Sequence, residues 1–203
     1  MNWLKKIFDR IEISNLFSYH LATFYHYEKK IFYNKTQIPK TDKLLFLVFP
    51  IFTSVIFVLV GLKFDKDYLN IILTSLSIFT GLLFTLLTMI LGLVQENNKI
   101  KIEEIRAEDR KKIQAKINLT KDLFINIAFS VFLSILAIIF VLATQFYPNN
   151  LIGILKLYKY YNTIKIIYIY IINCISFFLL IEFILTLLMI IKRFSILFIN
   201  QTS

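Results

Sequence analysis

Apolar residues in this chain gather into four long runs separated by short charged stretches. Positions 44–62, 68–95 and 123–155 carry no charged side chain, and positions 166–191 carry one, Glu182. A helix needs about 20 apolar residues to cross ~30 Å of hydrocarbon, and each run has at least 19. A soluble helix that is apolar on every side for this length has no face to turn to water. The pattern therefore predicts an all-α fold, an integral membrane four-helix bundle with span one at 44–62, span two at 68–95, span three at 123–146 and span four at 166–191.

The charged stretches predict what lies between. In "QENNKIKIEEIRAEDRKKIQAKINLTKD", Lys99 precedes Glu103 and Glu108 precedes Lys112 by four residues, the spacing of helix-stabilising ion pairs. Spans two and three are thus expected to continue into a charged cytosolic loop, 96–122, as helical extensions that turn near Glu108 and Asp109. Ile102, Ile105, Ile113 and Ile117 give these extensions an incomplete apolar face. Residues 1–43 form an amphipathic segment: Trp3, Leu4, Ile7, Phe8 and Ile11 recur at helical spacing, with Lys5, Lys6, Asp9, Arg10 and Glu12 between them. This segment is expected on the inner leaflet, where basic residues meet anionic lipid and aromatic rings settle among headgroups. Its alternative place is against a partner protein. "YPNN" signals a turn that opens an outer interfacial loop, 147–165, and 192–203 reads as a cytoplasmic tail.

Lys and Arg mark the cytoplasmic side. Residues 1–43 hold eight, 96–122 hold eight and 192–203 hold two, eighteen together, against five in 63–67 and 147–165. Both termini and the central loop are expected inside, in a bacterial cytoplasmic (inner) membrane. The first apolar run comes too late, after too many charges, to be a cleavable signal.

The formal charge of +10 comes mostly from residues that flank the spans, and no recognition motif accompanies them, so direct nucleic-acid binding is not expected. The single cysteine, Cys174, excludes an internal disulfide and a cysteine metal site. His20 and His26, six apart on an aromatic stretch, read as ordinary interfacial side chains rather than metal ligands. No HExxH, GxSxG, Walker A or dinucleotide fingerprint occurs, and nothing pairs a nucleophile with a base. Neither an enzyme nor a cofactor is expected; the lipid bilayer and other copies of the chain are the first partners.

Three features carry the candidate chemistry. Glu182 stands ten residues before Lys192, ~15 Å from the inner boundary and near the bilayer midplane. A charge there costs on the order of 3 kcal/mol, so this side chain should be protonated, hydrogen-bonded or facing water, but not facing lipid. In span two, Thr74, Ser77, Gly81, Thr85, Thr88 and Gly92 fall within roughly 80° of arc, one small and polar face along the helix. In span three, Asn126, Ser130, Ser134, Ala137 and Thr144 form a similar face. These faces are expected to pack spans two and three together, or to line a weakly polar conduit when several copies share an axis. Thr85 and Ser134 lie at the depth of Glu182 and are expected within its hydrogen-bonding reach. On span four only Thr186 lies near the face of Glu182; Asn173 projects about 180° away.

The basic N-terminal segment, span hairpin, "KIEEIRAEDRKK" loop and second hairpin resemble the small four-span membrane proteins encoded beside prokaryotic anti-phage systems, including accessory membrane proteins of RNA-targeting CRISPR loci. That resemblance implies a membrane effector or regulator working with a cytosolic sensor. Arg106, Arg110, Lys111 and Lys112 of the loop are the candidate partner contacts. The sequence-level expectation is a non-enzymatic, oligomeric, pore-like or regulatory subunit; a small proton-coupled transporter using Glu182 and an inert assembly or immunity subunit are the alternatives.

Overall fold

The computed structural model describes residues 13–24, 40–99, 106–145 and 161–202. Within them the fold is all-helical: α1 (Ile13–Ala22), a short α2 (Lys40–Lys43) running through a π-helical turn (Leu44–Val48) into α3 (Phe49–Leu59), then α4 (Lys66–Asn98), α5 (Ala107–Ala143) and α6 (Tyr161–Thr202). Three segments are long and apolar enough to cross a membrane, Lys66–Asn97, Ile113–Ala143 and Lys165–Leu197, while Leu44–Leu59 is a shorter apolar helix. At 1.5 Å per residue the last is about 24 Å long.

The π turn has a local cause. Pro50 stands at the start of α3, where its ring would meet the carbonyl one turn back and its missing N–H leaves that carbonyl without a donor. Widening the preceding turn relieves both. At its other end α3 closes on Gly61 (φ 87°), whose N–H donates to the Val58 carbonyl at 3.0 Å while that of Leu62 donates to Phe57 at 3.0 Å. These two bonds make a Schellman ending, which needs the left-handed conformation that glycine adopts at least cost.

Helix α5 is the hub, packing on α4, α6 and α1, whereas α3 packs on α6. Leu123, Ile127, Ala137 and Val141 of α5 have no exposed surface. Leu76, Leu83 and Ile90 of α4, and Leu179, Phe183 and Ile190 of α6, close the same core around them. Leu69, Leu76, Leu83 and Ile90 recur every seven residues on one side of α4, the repeat that keeps a seam turned toward a neighbouring helix. Even so, α4 is peripheral: its most apolar stretch is 11% buried, against 50% for α5.

Several boundaries differ from the sequence reading. Helix α6 begins before position 166 and continues to Thr202, so residues 192–202 of the expected tail extend the helix. The helix expected to turn near Glu108 and Asp109 instead starts at Ala107, with Arg106 extended (ψ 142°) ahead of it, and α4 stops at Asn98. Residues 100–105, most of the outer loop 147–165, His26 and the Trp3–Ile11 pattern fall outside the described residues.

Candidate functional site

The small and polar face of α4 does not lie between α4 and α5. Thr74, Ser77, Gly81, Thr85, Thr88 and Gly92 are all exposed, about 150° round the helix from the buried Leu76 seam at 100° per residue. Hydroxyls on this face bond back to their own helix: Ser77 to the Leu73 carbonyl at 2.8 Å, Thr85 to Gly81 at 3.2 Å and Thr88 to Phe84 at 3.0 Å. A Cβ added at Gly81 or Gly92 would meet nothing within 4 Å.

The face on α5 turns inward, and its residues meet partners other than the expected ones. Asn126, Ser130 and Ser134 have no exposed surface. Ser134 accepts from Thr80 at 2.8 Å and donates to the Val131 carbonyl at 2.7 Å, so the α4 hydroxyl in this contact is Thr80, not Thr85. A polar residue between Leu76 and Leu83 on the heptad seam was the signal for it. Ser130 Oγ is buried without a hydrogen-bond partner. Ala137 is fully buried, and Thr144 donates back to the Val141 carbonyl at 2.7 Å and accepts from Gln145 at 3.4 Å.

Glu182 is 6% exposed and so lies inside the protein rather than in lipid. Its Oε2 has no hydrogen-bond partner, and no bond joins it to Thr85 or Ser134. Thr186, fully buried one turn on, donates to the Glu182 backbone carbonyl at 2.8 Å. Glu182, Thr85 and Ser134, the three grouped by depth, are therefore not joined by hydrogen bonds, and Thr186 meets only the backbone of Glu182. Equal depth is not contact when the side chains leave their helices in different directions.

A buried polar cluster joins His20, expected as an ordinary interfacial side chain, to Asn126 of the α5 face. His20, 1% exposed on α1, places Nδ1 2.9 Å from Asn126 Oδ1 and stacks on Phe129 with ring centroids 3.8 Å apart. Thr23 Oγ1 lies 2.7 Å from the His20 carbonyl and 2.9 Å from Asn126 Oδ1. From α6, Arg193 Nη2 donates to the Thr23 carbonyl, one of the last carbonyls after α1. A cation there meets the negative end of the helix dipole. Phe24 stacks on Phe46 of the π turn at 4.6 Å. Helix α1 thus docks against α5 and α6 of its own chain.

The electrostatics of this cluster follow from burial. Desolvation pushes the His20 pKa down from 6.5 to about 4; the bond to Asn126 opposes the shift and nearby Arg193 adds to it. A neutral ring whose Nδ1–H donates to Asn126 leaves Nε2 as an acceptor, and Nε2 has no partner. One faint signal was available: His20, Thr23 and Phe24 lie three and four apart, on one side of a helix.

Arg106 and Arg110 are exposed at the start of α5; the side chains of Lys111 and Lys112 lie outside the described residues. No group of three metal-ligating side chains occurs among the described residues. Comparison with protein-family models, curated proteins and solved structures returns no match.

Proposed function

We propose that this chain is a non-enzymatic subunit of a homo-oligomeric membrane assembly, a pore-like or regulatory effector that answers to a cytosolic protein partner. The observation that carries this reading is the outward face of α4. In lipid, helices associate through close packing of small residues rather than by hydrophobic drive. A face of Thr, Ser and Gly on which the hydroxyls of Ser77, Thr85 and Thr88 already bond carbonyls of their own helix accepts another helix with little desolvation cost. Copies meeting through α4 would set these faces around a common axis. In the proposed topology α3 is a fourth, short crossing completed by 60–62 and flanked by lysines, with both termini inside the bacterial inner membrane. Arg106 and Arg110 then face the cytosol, where a partner from an anti-phage system, as the resemblance implies, would bind.

The test is the oligomeric state of the full chain in nanodiscs, read by native mass spectrometry, with Gly81→Leu and Gly92→Leu as probes. Neither added side chain starts against a neighbour within the protomer, so both variants should insert and fold. Dissociation of a wild-type oligomer by either variant supports the reading, and a wild-type monomer overturns it.

A second reading has its own observation. A buried Glu182 oxygen without a partner is an expensive feature for packing alone, and a proton-coupled carrier has a use for it. Loss of proton flux in Glu182→Gln proteoliposomes, with the oligomer intact, would favour that reading.

A further inference from the structure

At the end of the bundle opposite α1, a cavity of about 230 Å³ opens between the α3–α4 loop, the end of α5 and the start of α6. Its rim carries Lys63, Asp65 and Lys66, all exposed, with Tyr168 and Gln145 beside them. Its inner lining includes Ile169, Ile172 and Asn173. Asn173 is 7% exposed; its Nδ2 donates to the Ile169 carbonyl at 2.8 Å, and its Oδ1 is buried without a hydrogen-bond partner. Gln145 already donates to the Phe64 carbonyl at 3.2 Å, and Thr144 to Val141 at 2.7 Å. The side-chain donors left for a ligand are the two lysine amines and the Tyr168 hydroxyl; the acceptors are the Asp65 carboxylate and Gln145 Oε1 on the exposed rim and, buried inside, Asn173 Oδ1.

The level of this cavity narrows what fills it. The apolar stretch of α4 begins just past Lys66, that of α5 ends by Ala143, and that of α6 begins just past Lys165. All three helices pass from apolar to polar at the cavity, which is the level of lipid headgroups, where lysine and tyrosine collect. Its volume is below the roughly 300–1,000 Å³ of sites for drug-sized ligands, which suits one small headgroup. Two lysines against one aspartate favour an anion, and the orphan amide oxygen asks for a neutral donor.

We infer that this cavity is a lipid site for a phosphodiester headgroup bearing a hydroxyl, as in phosphatidylglycerol. The phosphate is held by Lys63 and Lys66, and the headgroup hydroxyl donates to Asn173 Oδ1. The acyl chains leave over the apolar sides of α4 and α6.

The test uses the full chain in nanodiscs of phosphatidylcholine containing a minority of phosphatidylglycerol, phosphatidylmethanol or phosphatidylethanolamine, with lipid retained per protomer counted by native mass spectrometry. Phosphatidylglycerol should be retained about tenfold over phosphatidylcholine, a difference of 1.4 kcal/mol. Lys63→Gln with Lys66→Gln, at two exposed positions, should abolish that preference without changing thermal stability. Phosphatidylmethanol has the same charge without the hydroxyl and should be retained less; Asn173→Leu should bring the two anionic lipids level. Equal retention of phosphatidylglycerol and phosphatidylcholine overturns the site. Equal retention of the two anionic lipids by the wild type overturns the role of Asn173, and a preference for phosphatidylethanolamine overturns the hydroxyl. Displacement of the lipid by free glycerol phosphate overturns a membrane source for the ligand.

Discussion

Acidification should release α1 from the bundle. His20 is neutral in its buried place and titrates at about 4, whereas an undocked His20 titrates near 6.5. Above 6.5 both states are neutral and docking is strongest. Between 6.5 and about 4 only the undocked state binds the proton, so docking weakens steadily as pH falls, and below about 4 the full effect has developed. The difference is on the order of 3 kcal/mol, about 300-fold in the docking equilibrium. Nitroxides at Ser18 and Lys192, both exposed, in a Cys174→Ser background would report the separation of α1 from α6 by double electron–electron resonance. A single short distance is expected above 6.5, joined by a longer population as pH falls. His20→Gln keeps a hydrogen-bonding group without a titrating ring and should flatten the dependence. An unchanged distribution down to pH 4, or the same shift in His20→Gln, would refute the reasoning.

Two further outcomes are expected within the bundle. A double-mutant cycle of Thr80→Val and Ser134→Ala, measured by reversible unfolding in bicelles, should give a coupling of about 0.6 kcal/mol and no more than ~1.7; zero coupling would show that the 2.8 Å contact adds nothing. Glu182→Leu should raise stability by about 1–3 kcal/mol, since it removes a buried carboxyl oxygen, Oε2, that has no partner; a loss of stability would refute that expectation.

How much was legible in sequence depended on what each pattern encodes. The uncharged runs fixed three long apolar helices directly, because in hydrocarbon every backbone polar group must be satisfied within a helix. The shortness of α3 was harder to read, since Pro50 and Gly61 act inside an uninterrupted apolar run. Periodicity located the face Thr74–Gly92 but not its direction, because α4 carries two candidate seams and the buried one is the heptad of Leu69, Leu76, Leu83 and Ile90. Depth arithmetic found Glu182 and Ser134 at one level without specifying azimuth. His20 looks bland in sequence because its partners, Asn126, Phe129 and Arg193, are more than a hundred residues away. Only the packing of α1 on α5 and α6 makes it a core residue.

The docking site of α1 has a consequence for how the chain matures. Helix α1 leaves the ribosome before α5 and α6, yet it contacts Asn126 and Phe129 on α5 and Arg193 on α6, so its seat is made long after it. Until the end of α6 emerges, His20 has no buried place and remains an ordinary titratable group in water. Closure of α1 therefore signals that α6 is in place: a chain truncated before Arg193 would present α1 to quality-control proteases, while one that includes α6 would hide it.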